Sequence, residues 1–424
     1  MSATPATPPA VREGIAPGRP AALDFDVYLV LIVGALLALG LLMVYSTTFD
    51  WSYQEYGSSI RIFLNQLRSA AIGVAMMLAM WRLDYRILRN RLVATAIMVV
   101  AIVALAALLI INNNVVFEAR RTLFEGSFQP GEAAKLALII YFGAWLASRR
   151  DKLQQLGYGL IPFSILIGVL GGLIVLQPDL STAAVLVLTA WTMFFLAGAN
   201  IAQIGVAGAG ALIAGGIVAW QFPYARQRLL DHVTAMQDLT RASWHVQQAI
   251  IAFTAPGDRP GGSFSPNWFG IGLGQSRQKF GFLPAPHTDS IFAIIGEELG
   301  LFGCLVVIAL YALFVWRAFK IARETNEPFG AVLAAGVGAW IAYEAMLNVA
   351  VVTAIIPFTG VALPFISYGG SNLVVVMTAC GLLMSVSRRR FQNASARPEG
   401  APVFDFGPPE RRKNAQRGSR AGGG

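Results

Sequence analysis

Residues 287–315, HTDSIFAIIGEELGLFGCLVVIALYALFV, decide the fold class. From Ile291 to Val315 the only charged residues are Glu297 and Glu298. A run this long and this apolar matches a bilayer span whose ends project beyond the hydrocarbon. The rest of the chain agrees. Of 424 residues, 56% are apolar and 13% charged, and the mean hydropathy is +0.60. Soluble domains carry about 25% charge. An ordinary soluble enzyme is excluded, and so is disorder over most of the chain. In a soluble protein the +9 net charge would suggest nucleic acid; in a membrane protein its placement matters more than its sum, and no nucleic-acid partner is expected. Cys304 and Cys380 lie inside apolar runs, which implies neither a disulfide framework nor a cysteine metal site.

Ten apolar segments follow one another at 26–47, 62–80, 92–111, 132–147, 158–176, 182–198, 201–222, 287–315, 329–352 and 371–387. The expected fold is an all-α polytopic membrane domain over 25–390 with ten transmembrane helices and an outward-facing cavity. It is flanked by loose tails at 1–24 and 391–424, the second one basic. With both tails cytoplasmic, 21 of the 32 Lys and Arg fall inside. Ten fall outside: Arg61, Arg68, Arg120, Arg121, Arg226, Arg228, Arg241, Arg259, Arg277 and Lys279. Residues 223–286 form the one large extracytoplasmic loop. No Walker loop is present, and glycines 270, 272 and 274 follow no strand, so they read as tight turns and nothing anchors a nucleotide cofactor. The three histidines have neither cysteine neighbours nor HExxH spacing, and a zinc site is not expected.

Ionisable residues in or at the edge of spans carry the functional information. Glu132 and Lys135 are three apart and can pair on one helical face. They read either as a helix-start acid with a snorkelling lysine or as an acid–base pair facing an outward cavity. Asp179, just ahead of a helix, suits an N-terminal cap. Asp289 follows His287 and Thr288 where the eighth span starts, as a cap or as a general base in a cavity. Projected at 100° per residue, Glu297 shares Asp289's side of that helix, whereas Glu298 faces a neighbouring helix. Residues 357–371, PFTGVALPFISYGGS, hold two prolines and a Gly-Gly pair. They read as a non-helical re-entrant segment closing the cavity.

At these residues the chain resembles the SEDS family (shape, elongation, division and sporulation). The matching pieces are QPGEAAKLAL, LQPDLSTA, GLGQSRQKFGFLPAPHTDSIFAIIGEELG and GVALPFISYGGSNL, in family order and spacing over about residues 25–390. GQSRQKFGFLP is closer to the FtsW and sporulation branch than to RodA. Ser290 stands where the family has Phe, Gly131 where it has Ser and Ser181 where it has Gly; no ionisable group is lost. The resemblance implies a multi-pass protein of the bacterial cytoplasmic membrane that polymerises lipid II into glycan strands for division or elongation. It also implies work with a class B penicillin-binding transpeptidase and other division or elongation membrane proteins. The family's essential aspartate falls on Asp289.

The chemistry is consistent with that expectation. One carboxylate is enough for an inverting displacement in which a sugar hydroxyl attacks an anomeric carbon and diphosphate leaves with its charge met. Asp289 is the expected base. Lys135, Arg226, Arg228, Arg277 and Lys279 are candidate cations for the diphosphate, together with a divalent ion (magnesium or manganese). Glu132, His287, Ser367 and Ser371 complete the candidate substrate contacts. Two other readings fit the same features: a flippase for lipid-linked precursors and a non-catalytic membrane scaffold for a transpeptidase.

Overall fold

The computed structural model describes residues 26–111, 128–149, 152–238, 242–254 and 268–394. Both tails beyond them lie outside the described residues, as do 255–266 and Arg120, Arg121, Arg150, Arg241 and Arg259. Among the described residues the chain is all-helical. The long helices are α1 (Val27–Tyr56), α2 (Arg61–Arg82), α3 (Arg91–Ile111), α4 (Pro130–Ser148), α5 (Leu160–Val175), α6 (Leu180–Leu196) and α7 (Ile201–Gln221). Two shorter helices, α8 (Pro223–Gln237) and α9 (Trp244–Thr254), stand in the large loop. The bundle closes with α10 (Ile291–Glu324), α11 (Pro328–Val352) and α12 (Gly370–Ala394). Each of the ten apolar segments is thus a helix. Seven of them are long and apolar enough to cross a membrane, α5 and α6 are shorter apolar helices, and the 19-residue α4 falls in neither group. A multi-pass membrane protein follows.

Local sequence sets the ends. Asp26 caps α1 by accepting from the Leu29 amide at 3.1 Å, and Asn200 caps α7 through Ala202. Proline opens α4, α8 and α11, where its missing N–H is not needed. α11 lies at the centre, with 78% of its span-length window buried, against 6% for α7 at the periphery. α2 lies along α12, where Gly73 approaches Met377 and Gly381 approaches the Met77 backbone.

The eighth segment differs from its expected form. Its helix starts at Ile291, with His287, Thr288 and Asp289 in turns ahead of it, and it breaks at Gly300 (φ 69°, ψ −166°). The break frees main-chain groups that the large loop then satisfies. The Glu297 and Glu298 carbonyls accept from Ile271 and Gly272, each at 3.0 Å, and Phe302 donates to the Trp268 carbonyl at 3.0 Å. Gly270, at φ +73°, lies so close to the Glu298 carbonyl that a side chain there would overlap it. Glycines 270, 272 and 274 all have positive φ, as tight turns require. This docking fixes residues 268–272 against the bundle.

Candidate active site

A cavity of about 760 Å³ opens at the end of the bundle where α2, α4, α6 and α12 begin and α11 ends. It gathers residues from seven separate stretches of chain, among them Glu132, Lys135, Asp179, Asp289, Glu344 and Ser371. The opposite end of the bundle carries Arg82, Arg86, Arg89, Lys152, Arg317 and Arg323.

Lys135 sits in the cavity wall. Its Nζ donates to Glu132 Oε1 at 2.8 Å and pairs with Glu344 Oε1 on α11. Asn372 Nδ2 donates to the other Glu132 oxygen at 2.7 Å. All three ions are at most 5% exposed, so Lys135 does not snorkel. Two carboxyl groups share one ammonium, so acids outnumber cations in this buried cluster. Trp340 adds its ring face 5.4 Å from the ammonium. Asp179 caps α6 through the Thr182 amide at 3.1 Å and also accepts from the Ser181 and Thr182 hydroxyls. The cap and the cavity wall are therefore the same residue. Ser371 Oγ accepts from the Gln129 amide at 3.0 Å, which joins the start of α12 to the start of α4.

The remaining sequence candidates lie elsewhere. Lys279 Nζ donates to Glu298 Oε1 at 3.0 Å and to the Gly274 carbonyl at 2.7 Å, away from the cavity lining. Glu298 also accepts from Ser46 Oγ at 2.7 Å, which ties it to the neighbouring helix α1. Glu297 does not join Asp289. It accepts from the Ser276 hydroxyl and from the Arg277 amide at 2.9 Å. The projection assumed one continuous helix from Asp289, which the structure does not have. Arg226 on α8 is exposed, with its guanidinium 5.4 Å from the Trp220 ring. Arg228, half-buried on the same helix, lies near His245, whose pKa burial and this arginine both lower. The Arg277 side chain is exposed. The His287 ring stacks on Trp51 at 4.6 Å and meets Tyr368 edge-on at 5.7 Å. Burial pulls its pKa down to about 4, so it is neutral at neutral pH. Ser367 turns its hydroxyl into the loop itself, donating to the Thr288 carbonyl at 2.6 Å and accepting from Leu363 N at 2.8 Å.

Three of the polar cavity residues without an assigned role in the sequence are Glu344, Arg68 and Asn372. Glu344 is the lone acid in segment 329–352, a signal that was present. Arg68, counted only among the outer cations, and Lys135 are the two cations among the lining residues. Asn372 is recognisable only from its contact with Glu132.

The family described as "Cell cycle protein", which covers FtsW, RodA and SpoVE, matches residues 27–392. The chain belongs to this family. Among its FtsW/RodA/SpoVE relatives, stage V sporulation protein E of Bacillus subtilis is 36% identical over 86% of this chain and 97% of its own length. The probable peptidoglycan glycosyltransferase FtsW of Trichlorobacter lovleyi is 34% identical over 86% and 93%. Two solved structures share the fold. The crystal structure of the Thermus thermophilus rod shape determining protein RodA superimposes with a TM-score of 0.60 at 22% identity. It covers 88% of this chain and all of that one. A structure described as "Structural coordination of polymerization and crosslinking by a peptidoglycan synthase complex" gives 0.67 at 23%, with the same coverage. The FtsW/RodA/SpoVE membership agrees with the quoted motifs, each of which contributes to the cavity or to the loop docked beside it.

Proposed function

We propose that this chain is a peptidoglycan glycosyltransferase that polymerises lipid II, with Asp289 as its base. The observation that carries this is the meeting of Asp289, Arg68 and the Glu132–Lys135–Glu344 cluster in one cavity. The chain also resembles a probable peptidoglycan glycosyltransferase over 93% of that protein's length. In the reaction the acceptor sugar's hydroxyl attacks the anomeric carbon of the lipid-linked donor. The new glycosidic C–O bond forms as the bond to diphosphate breaks, with inversion. Asp289 takes the hydroxyl proton. Arg68 meets the charge that develops on the leaving diphosphate. Glu132, Lys135, Ser371 and Asn372 hold sugar hydroxyl and amide groups.

A magnesium or manganese ion would be held by one or two of the cavity carboxylates together with the diphosphate of the substrate. Among the described residues no group of three or more His, Cys, Asp or Glu converges as ligands would.

The proposed topology has ten spans and cytoplasmic termini. It is supported by the arginine-rich end of the bundle lying opposite the cavity; in this topology the cavity opens to the cell exterior. The proposed partner is a class B transpeptidase. Purified protein, alone and with that partner, is to be assayed for glycan formation from lipid II in detergent. Asp289→Asn is expected to lower the rate by about 10²- to 10⁴-fold. Full activity of a folded Asp289→Asn protein would remove the base assignment. A flippase would make no glycan in detergent, where there are no two compartments.

A further inference from the structure

Three consecutive carbonyls around the proposed base are each held by a different donor. The His287 carbonyl accepts from the Tyr368 amide at 2.8 Å, and that of Thr288 accepts from Ser367 Oγ at 2.6 Å. The Asp289 carbonyl accepts from Asn348 Nδ2 at 2.8 Å. Asn348, fully buried on α11, uses its second amide hydrogen on the Val361 carbonyl at 2.6 Å. Both partners are pure acceptors, which settles which end of the carboxamide faces them. Val361 follows Gly360, whose φ is +67° and whose missing side chain leaves room for the base: a Cβ there would lie 2.8 Å from Asp289 Oδ2.

We infer that Asn348 is a positioning residue for Asp289, with Ser367 as its companion, locking the base's turn onto the α11–α12 connection. This rests on the proposed role of Asp289. The α11–α12 connection is itself rigid. Phe365 holds φ 67°, an unfavourable angle for a side chain of its size, and is 1% exposed beside the Phe314 ring. The Tyr311 hydroxyl donates to the Pro364 carbonyl, and Gly40 of α1 lies against the Phe365 carbonyl. Residues 361–368 thus form a fixed template. The turn carrying Asp289 is tied to it by the backbone at 287, a hydroxyl at 288 and a carboxamide at 289. Glu344 lies one turn before Asn348 on the same helical face. Hence α11 sets both the buried ion cluster and the place of the base.

The test uses full-length protein with its transpeptidase partner and lipid II as substrate. Asn348→Leu removes both donors at similar volume. It is expected to lower kcat about ten- to a hundredfold, while KM stays within about twofold. Ser367→Ala behaves alike, and Ser367→Thr, which keeps the hydroxyl, loses less than Ser367→Ala. Gly360→Ala sets a methyl against the carboxylate at a positive φ that glycine alone holds without strain, so kcat falls again. In an Asp289→Asn background Asn348→Leu adds no further loss, because it acts through the carboxylate. Wild-type kcat in Asn348→Leu and Ser367→Ala proteins of wild-type thermal midpoint would overturn the inference, and so would losses that multiply with Asp289→Asn. If Asn348→Leu does not fold, the Ser367 pair decides. Full activity of Asp289→Asn would instead overturn the base assignment, and the two failures are thereby distinct.

Discussion

The two ends of the bundle each bury an ion cluster, and the clusters are built differently. At the cytoplasmic end of the proposed topology, Arg317 of α10 grips Asp26 through Nε at 2.8 and 2.9 Å and through Nη2 at 2.6 Å. Ser387 of α12 also donates to Asp26, at 3.3 Å. The charges balance, and neither Asp26 nor Arg317 lines the cavity. At the other end Lys135 faces two carboxylates, and all three line the cavity. A balanced, bidentate and closed pair ties α1, α10 and α12 together. An unbalanced cluster open to a cavity is poised to act on what enters it. Arg317, read from the sequence as a marker of the cytoplasmic side, is thus also part of the architecture.

Lys135→Met tests the open cluster most severely. It leaves Glu132 and Glu344 buried without a cation, so a loss of about 3–5 kcal/mol in stability is expected along with polymerisation activity. A thermal melt in detergent and the lipid II assay read the two effects. Glu344→Gln should separate them. It leaves a balanced Glu132–Lys135 pair, so the melt moves by no more than about 1 kcal/mol, while the rate still falls. Equal effects of the two variants on stability would show that the second carboxyl group is not what distinguishes the clusters.

Arg317→Met is expected to cost about 3–5 kcal/mol as well, because it strands a buried carboxylate. Replacing both partners, with Asp26→Asn added, recovers most of that loss. Polymerisation per folded molecule is unchanged in either case. A specific activity that falls with Arg317→Met after correction for folded fraction would mean that the two ends are coupled.

Hydropathy made all ten bundle helices legible, because each must satisfy its backbone in a medium without water. The site was legible where charge is scarce, as with Glu132, Lys135 and Asp289. It failed at Glu297, where an angular projection started from Asp289, two residues before the helix begins. Hydropathy does not mark where a helix starts, and the loop residues that hold Glu297, Ser276 and Arg277, are distant in sequence. Lys279 and Arg68 show the same limit from the other side. Both are outer cations in sequence, yet one is buried on Glu298 and the other lines the cavity. Asn348 and Ser367 carry no charge at all. Their placement depends on the fold of a segment with three positive-φ residues between 354 and 365, which composition does not reveal.

The smallest effect separates the base from the imidazole beside it. His287 has a pKa lowered to about 4 by burial between Trp51 and Tyr368, against about 6.5 when unfolded. The unfolded chain therefore binds more protons in that interval. The stability due to the neutral ring is complete above about pH 6.5 and is lost as the pH falls towards 4. His287→Phe keeps the stack and removes the titration. Its melting temperature should fall less than that of the wild type between pH 6.5 and 4.5, with a near-equal value at pH 7.5. Parallel curves would mean that the ring swings into water when protonated, in which case the turn carrying Asp289 is held by its carbonyl hydrogen bonds alone.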